Sequence, residues 1–159
     1  MTQLFYMKTF GCQMNEHDTD CISQILIKKG YRQAEDMDDA HIILINTCAV
    51  REKAEQKALD LVGRLAQLKR RKPALITGVI GCAAQARGIN LLKSFPFLDL
   101  VLGPRSIYRI DEFLSEIKEE RERISCLDLK GELVLFPYYN GYLHGKVKCF
   151  LKLREFITF

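Results

Sequence analysis

Apolar residues in this chain fall in short runs separated by longer stretches of helical period, and the two patterns alternate over the first 125 residues. Residues 4–9 alternate around Phe5, Tyr6 and Met7 as a strand does. A helix is predicted over 15–29, where Cys21, Ile22, Ile25 and Leu26 share one face and Gly30 stands at the C-cap. Residues 41–46 carry the unbroken run Ile42-Ile43-Leu44-Ile45, expected of a strand covered on both faces. The next helix, 50–72, sets Ala54, Ala58, Leu61, Val62, Leu65 and Leu68 on its buried stripe and Arg64, Gln67 and Arg71 on its wet side. A strand over 74–80, a helix over 83–94, a strand over 98–102 and a helix over 107–123 complete the series. The last helix shows Ile110, Phe113, Leu114 and Ile117 on one face.

This order predicts an α/β fold: a four-stranded, mostly parallel sheet with right-handed crossovers and helices on both faces. Ligands of such sheets bind beyond the carboxyl ends of the strands. After residue 123 the pattern changes. Residues 126–129, 133–136 and 147–153 read as short strands, with Pro137-Tyr138-Tyr139-Asn140-Gly141 as a loop. The expected division is a domain of residues 1–125 followed by a short β-rich C-terminal extension, 126–159.

Composition narrows the classes. With 48% hydrophobic residues and only four prolines, the chain can form a core and disorder is not expected. No apolar run approaches the ~18 residues of a membrane span, and Met1-Thr2-Gln3 opens no signal peptide. A cytoplasmic location without a membrane partner is therefore expected. The net charge of +4 neither announces nor forbids nucleic acid. Its densest cationic run, Lys69-Arg70-Arg71-Lys72 before Pro73, reads as a solvated helix end that complements the helix dipole.

The six cysteines change the picture most. A disulfide framework is disfavoured by compartment and chain length, and the absence of any Cys-x-x-Cys pair disfavours zinc ribbons and thioredoxin-like motifs. Three cysteines occupy one recurring slot: Cys12 follows the first strand, Cys48 the second and Cys82 the third, each just before a predicted helix. Neighbouring parallel strands lie roughly 4.8 Å apart, so three such loops can converge on one centre. A helix N-terminus lowers a thiol pKa and favours ligation. Gly11 and Gly81 leave room for backbone to approach a bulky ligand. Cys21, Cys126 and Cys149 have no such slot and read as packing residues. Thiolates select zinc, copper(I) or iron–sulfur. None of His17, His41 and His144 is well placed as a fourth zinc ligand, so an iron–sulfur cluster on three thiolates, with one iron left open, fits better.

The segments around these cysteines are more specific than the cysteines. Thr9-Phe10-Gly11-Cys12-Gln13-Met14-Asn15, Asn46-Thr47-Cys48-Ala49-Val50-Arg51-Glu52-Lys53-Ala54 and Gly78-Val79-Ile80-Gly81-Cys82-Ala83-Ala84-Gln85 together resemble the N-terminal domain of the radical methylthiotransferases, as does Leu102-Gly103-Pro104. The resemblance covers about residues 4–120. Gln13-Met14-Asn15 and Arg51-Glu52-Lys53-Ala54 are most similar to the branch that adds a methylthio group at C2 of isopentenyl-adenosine in tRNA. Other branches act on threonylcarbamoyl-adenosine in tRNA or on a ribosomal-protein aspartate. The resemblance implies that Cys12, Cys48 and Cys82 hold one auxiliary 4Fe–4S cluster that supplies the sulfur. It implies a second 4Fe–4S cluster and S-adenosylmethionine in a central radical domain, and tRNA as partner.

That central domain begins, in the family, with a Cys-x-x-x-Cys-x-x-Cys motif soon after a segment like 145–155. Here Phe156-Ile157-Thr158-Phe159 follows instead. Residues 126–159 are then expected to be a linker and the truncated start of that domain, and the chain a truncated, frameshifted or split form, inactive alone unless a radical domain acts in trans. Gln13, Asn15, Asn46 and Arg51 are candidates to contact a cluster ligand or substrate. Asn15 reads first as a helix N-cap, and Arg51 opposes the dipole of the helix it opens. Two other classes remain open: a flavodoxin-like binding module whose cysteines only pack, and an inactive relic without a cluster. Against the binding module, no Gly-x-Gly-x-x-Gly or phosphate-binding loop follows any strand.

Overall fold

The computed structural model describes residues 1–127, apart from the side chain at position 89, and the described elements lie in one compact unit, Met1–Leu129. Expectations for the strands at 133–136 and 147–153, and for Cys149 and His144, fall outside the described residues. In chain order the elements are β1 (Leu4–Phe10), α1 (Gln13–Lys28), β2 (Arg32–Gln33), β3 (Ile42–Thr47), α2 (Glu52–Arg71), β4 (Ile76–Ile80), α3 (Cys82–Arg87), α4 (Ile89–Ser94), β5 (Leu100–Leu102), α5 (Ile110–Glu120) and β6 (Ile124–Cys126). Short 3-10 turns cover Met37–Asp39 and Ile107–Arg109.

All strand pairings are parallel, in the order β2-β1-β3-β4-β5-β6. The α/β class is as expected, but the sheet has six strands and not four. The two additions are its edges. β2 is a pair of exposed polar residues, Arg32 and Gln33, with no apolar alternation to betray it. β6 begins at Ile124, two residues before the expected strand at 126, and pairs with β5 through Leu100↔Ile124.

The period of two along β3 sorts the two cores. Ile42 and Leu44 face α1 and α5, where Ile22, Leu26, Ile110, Phe113, Leu114 and Ile117 pack; Ile43 and Ile45 face α2 and α4, against Ala58, Val62, Leu65, Leu68, Leu91 and Leu92. Each large aliphatic side chain buried this way contributes about 1.5–3 kcal/mol. These two layers hold the carboxyl ends of β1, β3 and β4 side by side.

Several helix boundaries depart from expectation: α1 starts at Gln13 and not at 15, and α5 covers 110–120 of the helix expected over 107–123, with a 3-10 turn before it. The helix predicted from residue 50 starts at Glu52, with Arg51 as its N-cap residue. Glu52 and Glu55 suit the positive end of the helix, whereas the β-branched Val50 and the cation of Arg51 do not. The helix predicted over 83–94 is two short helices separated at Gly88, whose φ of 54° ends α3.

Candidate metal centre

Cys12 is the N-cap residue of α1, Cys48 follows β3 directly, and Cys82 is the first residue of α3. The sheet register brings their strands into line: Phe10 pairs with Thr47, Asn46 pairs with Ile80, and the Cys48 N–H donates to the Phe10 carbonyl at 3.0 Å. Cys48 is one of the groups that lower the Cys12 pKa, consistent with the two side chains standing on neighbouring strand ends. Cys48 is buried, Cys12 is half-buried and Cys82 is exposed.

Beneath these cysteines lies a buried polar network. Asn46 is the third residue on the β3 face that begins Ile42, Leu44, so an amide occupies a core position and is completely buried. Burying an unpartnered amide costs roughly 1–3 kcal/mol, and here every bond is supplied. Its Nδ2 donates to the Asn15 carbonyl at 2.8 Å and to Thr19 Oγ1 at 3.0 Å, and its Oδ1 accepts from Asn15 Nδ2 at 3.0 Å. Thr9 Oγ1 joins Thr19 Oγ1 at 2.8 Å. Asn15 then connects this network to Cys12: its Oδ1 accepts from the Cys12 N–H at 3.2 Å and from the Cys12 thiol at 3.4 Å.

Asn15 is therefore not the N-cap residue. It stands at the third helical position, and Cys12 takes the cap with the reciprocal bonding of a capping box. The first turn of α1 offers its N–H groups to the sulfur. Hydrogen bonding from the Asn15 backbone, ahead of the opposing effect of burial, holds the Cys12 thiol below its ordinary pKa, with help from Met14 and Cys48. Cys48 stands three residues before α2, and its sulfur accepts from the Val50 N–H at 3.4 Å.

The two glycines beside the cysteines pack against the same network. A β-carbon on Gly11 would lie 2.2 Å from Asn15 Oδ1 and 3.0 Å from the Cys48 β-carbon. On Gly81 it would lie 2.5 Å from Asn46 Oδ1 and 2.7 Å from the Thr47 carbonyl, and the φ of 100° there already favours glycine. Both loops are thus drawn down onto the Asn15–Asn46 pair.

The remaining candidates sit at the rim. Gln13 is exposed on the first turn of α1. Arg51 is exposed and its Nη1 approaches the Gly11 carbonyl at 3.5 Å, so it reaches across from the Cys48 loop to the Cys12 loop. Thr9, Thr19 and Thr47 were not singled out from the sequence. The Asn15-to-Thr19 spacing of four, which sets both on one helix face, is a sequence signal that could have found Thr19. The Thr47 hydroxyl, one residue before Cys48, is buried and finds no hydrogen-bond partner among the described residues.

Cys21, Cys126 and most of the basic run make contacts within the fold. Cys21 is buried, with its sulfur 3.5 Å from His17 Nε2 one turn earlier on α1, and Cys126 lies 3.2 Å from Ser106 Oγ. Lys69 is not a solvated helix end: its ammonium pairs with Asp99 at 2.6 Å with both side chains largely covered. Arg71 pairs with Asp38 at 3.2 Å, and Lys72 donates to the Asp38 carbonyl.

Among the described residues, no three or more His, Cys, Asp or Glu side chains are gathered as a ligand set for a single metal ion. A polynuclear iron–sulfur cluster makes a different demand, because each thiolate binds a separate iron. The structure supplies three cysteines at the ends of neighbouring strands, one of them with its thiol pKa lowered, and glycines where backbone crowds the site.

The model of the family described as "Uncharacterized protein family UPF0004" matches residues 4–103. Proteins named tRNA-2-methylthio-N(6)-dimethylallyladenosine synthase are similar to the chain. The one from Bacillus pumilus is 46% identical over 98% of this chain and 32% of its own length; the one from Bacillus subtilis is 39% identical over 98% and 31%. The Syntrophobacter fumaroxidans protein is 46% identical over 77% of this chain and 27% of its own length. The chain thus spans about a third of the length of these relatives, matching their N-terminal part. With the family model covering most of the described residues, this chain belongs to the UPF0004 family.

Proposed function

We propose that this chain is the sulfur-carrying N-terminal domain of a tRNA methylthiotransferase, and that Cys12, Cys48 and Cys82 together hold one 4Fe–4S cluster. The observation that supports this reading is the register that sets Cys12, Cys48 and Cys82 at the carboxyl ends of three neighbouring parallel strands, above the Asn15–Asn46 pair. When bound, a cluster on three thiolates would leave one iron without a protein ligand and supply sulfur for insertion.

The residues of this chain have separable tasks in that reading. Asn15 and Asn46 fix the heights of the Cys12 and Cys82 loops through Gly11 and Gly81. The N–H groups of the first turn of α1 keep Cys12 ready to ligate as thiolate. Arg51, exposed at the rim, holds an anionic group, and Gln13 faces a substrate base. The names of the relatives point to 2-methylthio-N6-dimethylallyladenosine in tRNA as the product. S-adenosylmethionine and a second 4Fe–4S cluster belong, on this reading, to the part of the relatives' length that this chain does not span, with residues 126–159 as the linker toward it.

Anaerobic reconstitution with iron and sulfide tests the ligand set. The chain is expected to take up about four irons and show the broad visible absorption of Fe–S bonds, with both lost in each of Cys12→Ala, Cys48→Ala and Cys82→Ala and retained in Cys21→Ala. A colourless, iron-free yet folded protein, or a cluster that survives all three substitutions, overturns the assignment.

A further inference from the structure

The face of the sheet covered by α2 and α4 has an opening at its β1 side. The link from β2 to β3 contains only the 3-10 turn Met37–Asp39, so no helix covers β1 there. β2 pairs only with Leu4 and Phe5, which leaves β1 from Tyr6 onward as an edge. The result is a cleft of about 300 Å³ between β1 and α2, with Tyr6, Lys8 and Phe10 from alternate positions of the strand and Lys57, Asp60 and Arg64 from the helix.

Its chemistry is uneven. Lys8, Lys57 and Arg64 are exposed, and no ion pair neutralises them among the described residues. The one carboxylate, Asp60, accepts from Gln56 at 2.9 Å. The Lys8 ammonium lies 6.0 Å from the centre of the half-buried Phe10 ring. Lys57 and Arg64 stand about 10 Å apart along one face of α2, a reach that fits successive phosphates. Partly exposed aromatic rings between unpaired cations form the combination that binds unpaired nucleotides, bases on the rings and phosphates on the cations.

We infer that this cleft binds single-stranded RNA, with a base stacked on Phe10 or Tyr6 and the backbone held by Lys8, Lys57 and Arg64. The inference rests on the reading of the domain as acting on tRNA. It extends that reading toward the cysteines, because Phe10 ends β1 two residues before Cys12 and pairs with Thr47 beside Cys48.

The test is binding of a fluorescein-labelled oligoadenylate to the full chain across a salt series. Lys57→Glu with Arg64→Glu is expected to weaken binding about tenfold or more and to lower the log–log salt slope by about 1.4, at about 0.7 per lost phosphate contact. Phe10→Leu keeps the apolar volume and removes the ring; it is expected to weaken binding about tenfold with the slope unchanged. Arg70→Glu with Lys93→Glu, an equal charge change elsewhere, is expected to leave affinity within about twofold of wild type. Absence of binding, an equal loss in the charge control, an indifferent Phe10→Leu, or capture of a polyglutamate peptide with the same sensitivities overturns the proposal. Iron and sulfide content of the same preparations keeps the two readings apart. Variants that lose RNA but load iron like wild type support the cleft, and RNA binding that follows these variants in an iron-free chain leaves the cleft standing while the cluster assignment falls.

Discussion

Asn46 and Gly81 carry more of the candidate site than their chemistry alone suggests. An amide in a core position is tolerated because three hydrogen bonds return what burial removes, and those bonds fix Asn15, which in turn fixes Cys12. Gly81→Ala would force a β-carbon into the Asn46 amide and the Thr47 carbonyl at a φ that alanine rarely adopts. Urea denaturation is expected to show a loss of about 2–3 kcal/mol, and an unchanged midpoint would mean that the loop does not rest on the asparagine pair. Cys12 gives a second prediction. Hydrogen bonds from the start of α1 favour its thiolate, so alkylation of Cys12 by iodoacetamide should rise at lower pH than that of a free cysteine thiol. A mass-spectrometric pH profile that coincides with free cysteine would contradict this.

At the scale of elements, Lys69, Arg71 and Lys72 fasten the end of α2 to the amino-end side of the sheet. Asp99 accepts from Lys69 at 2.6 Å, from the Thr77 N–H at 2.7 Å and from Thr77 Oγ1 at 3.2 Å, so one carboxylate joins α2 to β4. Asp99→Ala is expected to lower stability by about 2–3 kcal/mol in chemical denaturation, well beyond the ~0–1 kcal/mol of an exposed ion pair; a loss within that smaller range would show the cluster to be solvated. The central elements were legible because β3, α2 and α5 each keep one clear period over their whole length. The edge strands were not, because Arg32–Gln33 carries no apolar alternation and is ordered only by pairing with β1. The late start of α2 turned on dipole chemistry at Arg51 and Glu52, which a stripe of apolar positions does not register. The three cysteine slots were legible because each follows a strand. The Asn15–Asn46 pair was not, because its bonds join residues separated by 31 positions and exist only once β1, α1 and β3 have packed.

For the molecule as a whole, a parallel sheet collects its strand-to-helix loops at one end, and this chain places at that end the cysteines, the buried amides and the rim cation Arg51. The described residues contain no helix long and apolar enough to cross a membrane, and the chain spans about a third of the length of relatives whose names place them on tRNA. The central claim is that three protein thiolates leave one iron of a cluster open. Mössbauer spectroscopy of the anaerobically reconstituted chain, before and after addition of methanethiolate, tests it most directly. The account predicts that one iron subsite changes its parameters while the others keep theirs. A spectrum in which every iron is equivalent and unaffected by the added thiolate would contradict it.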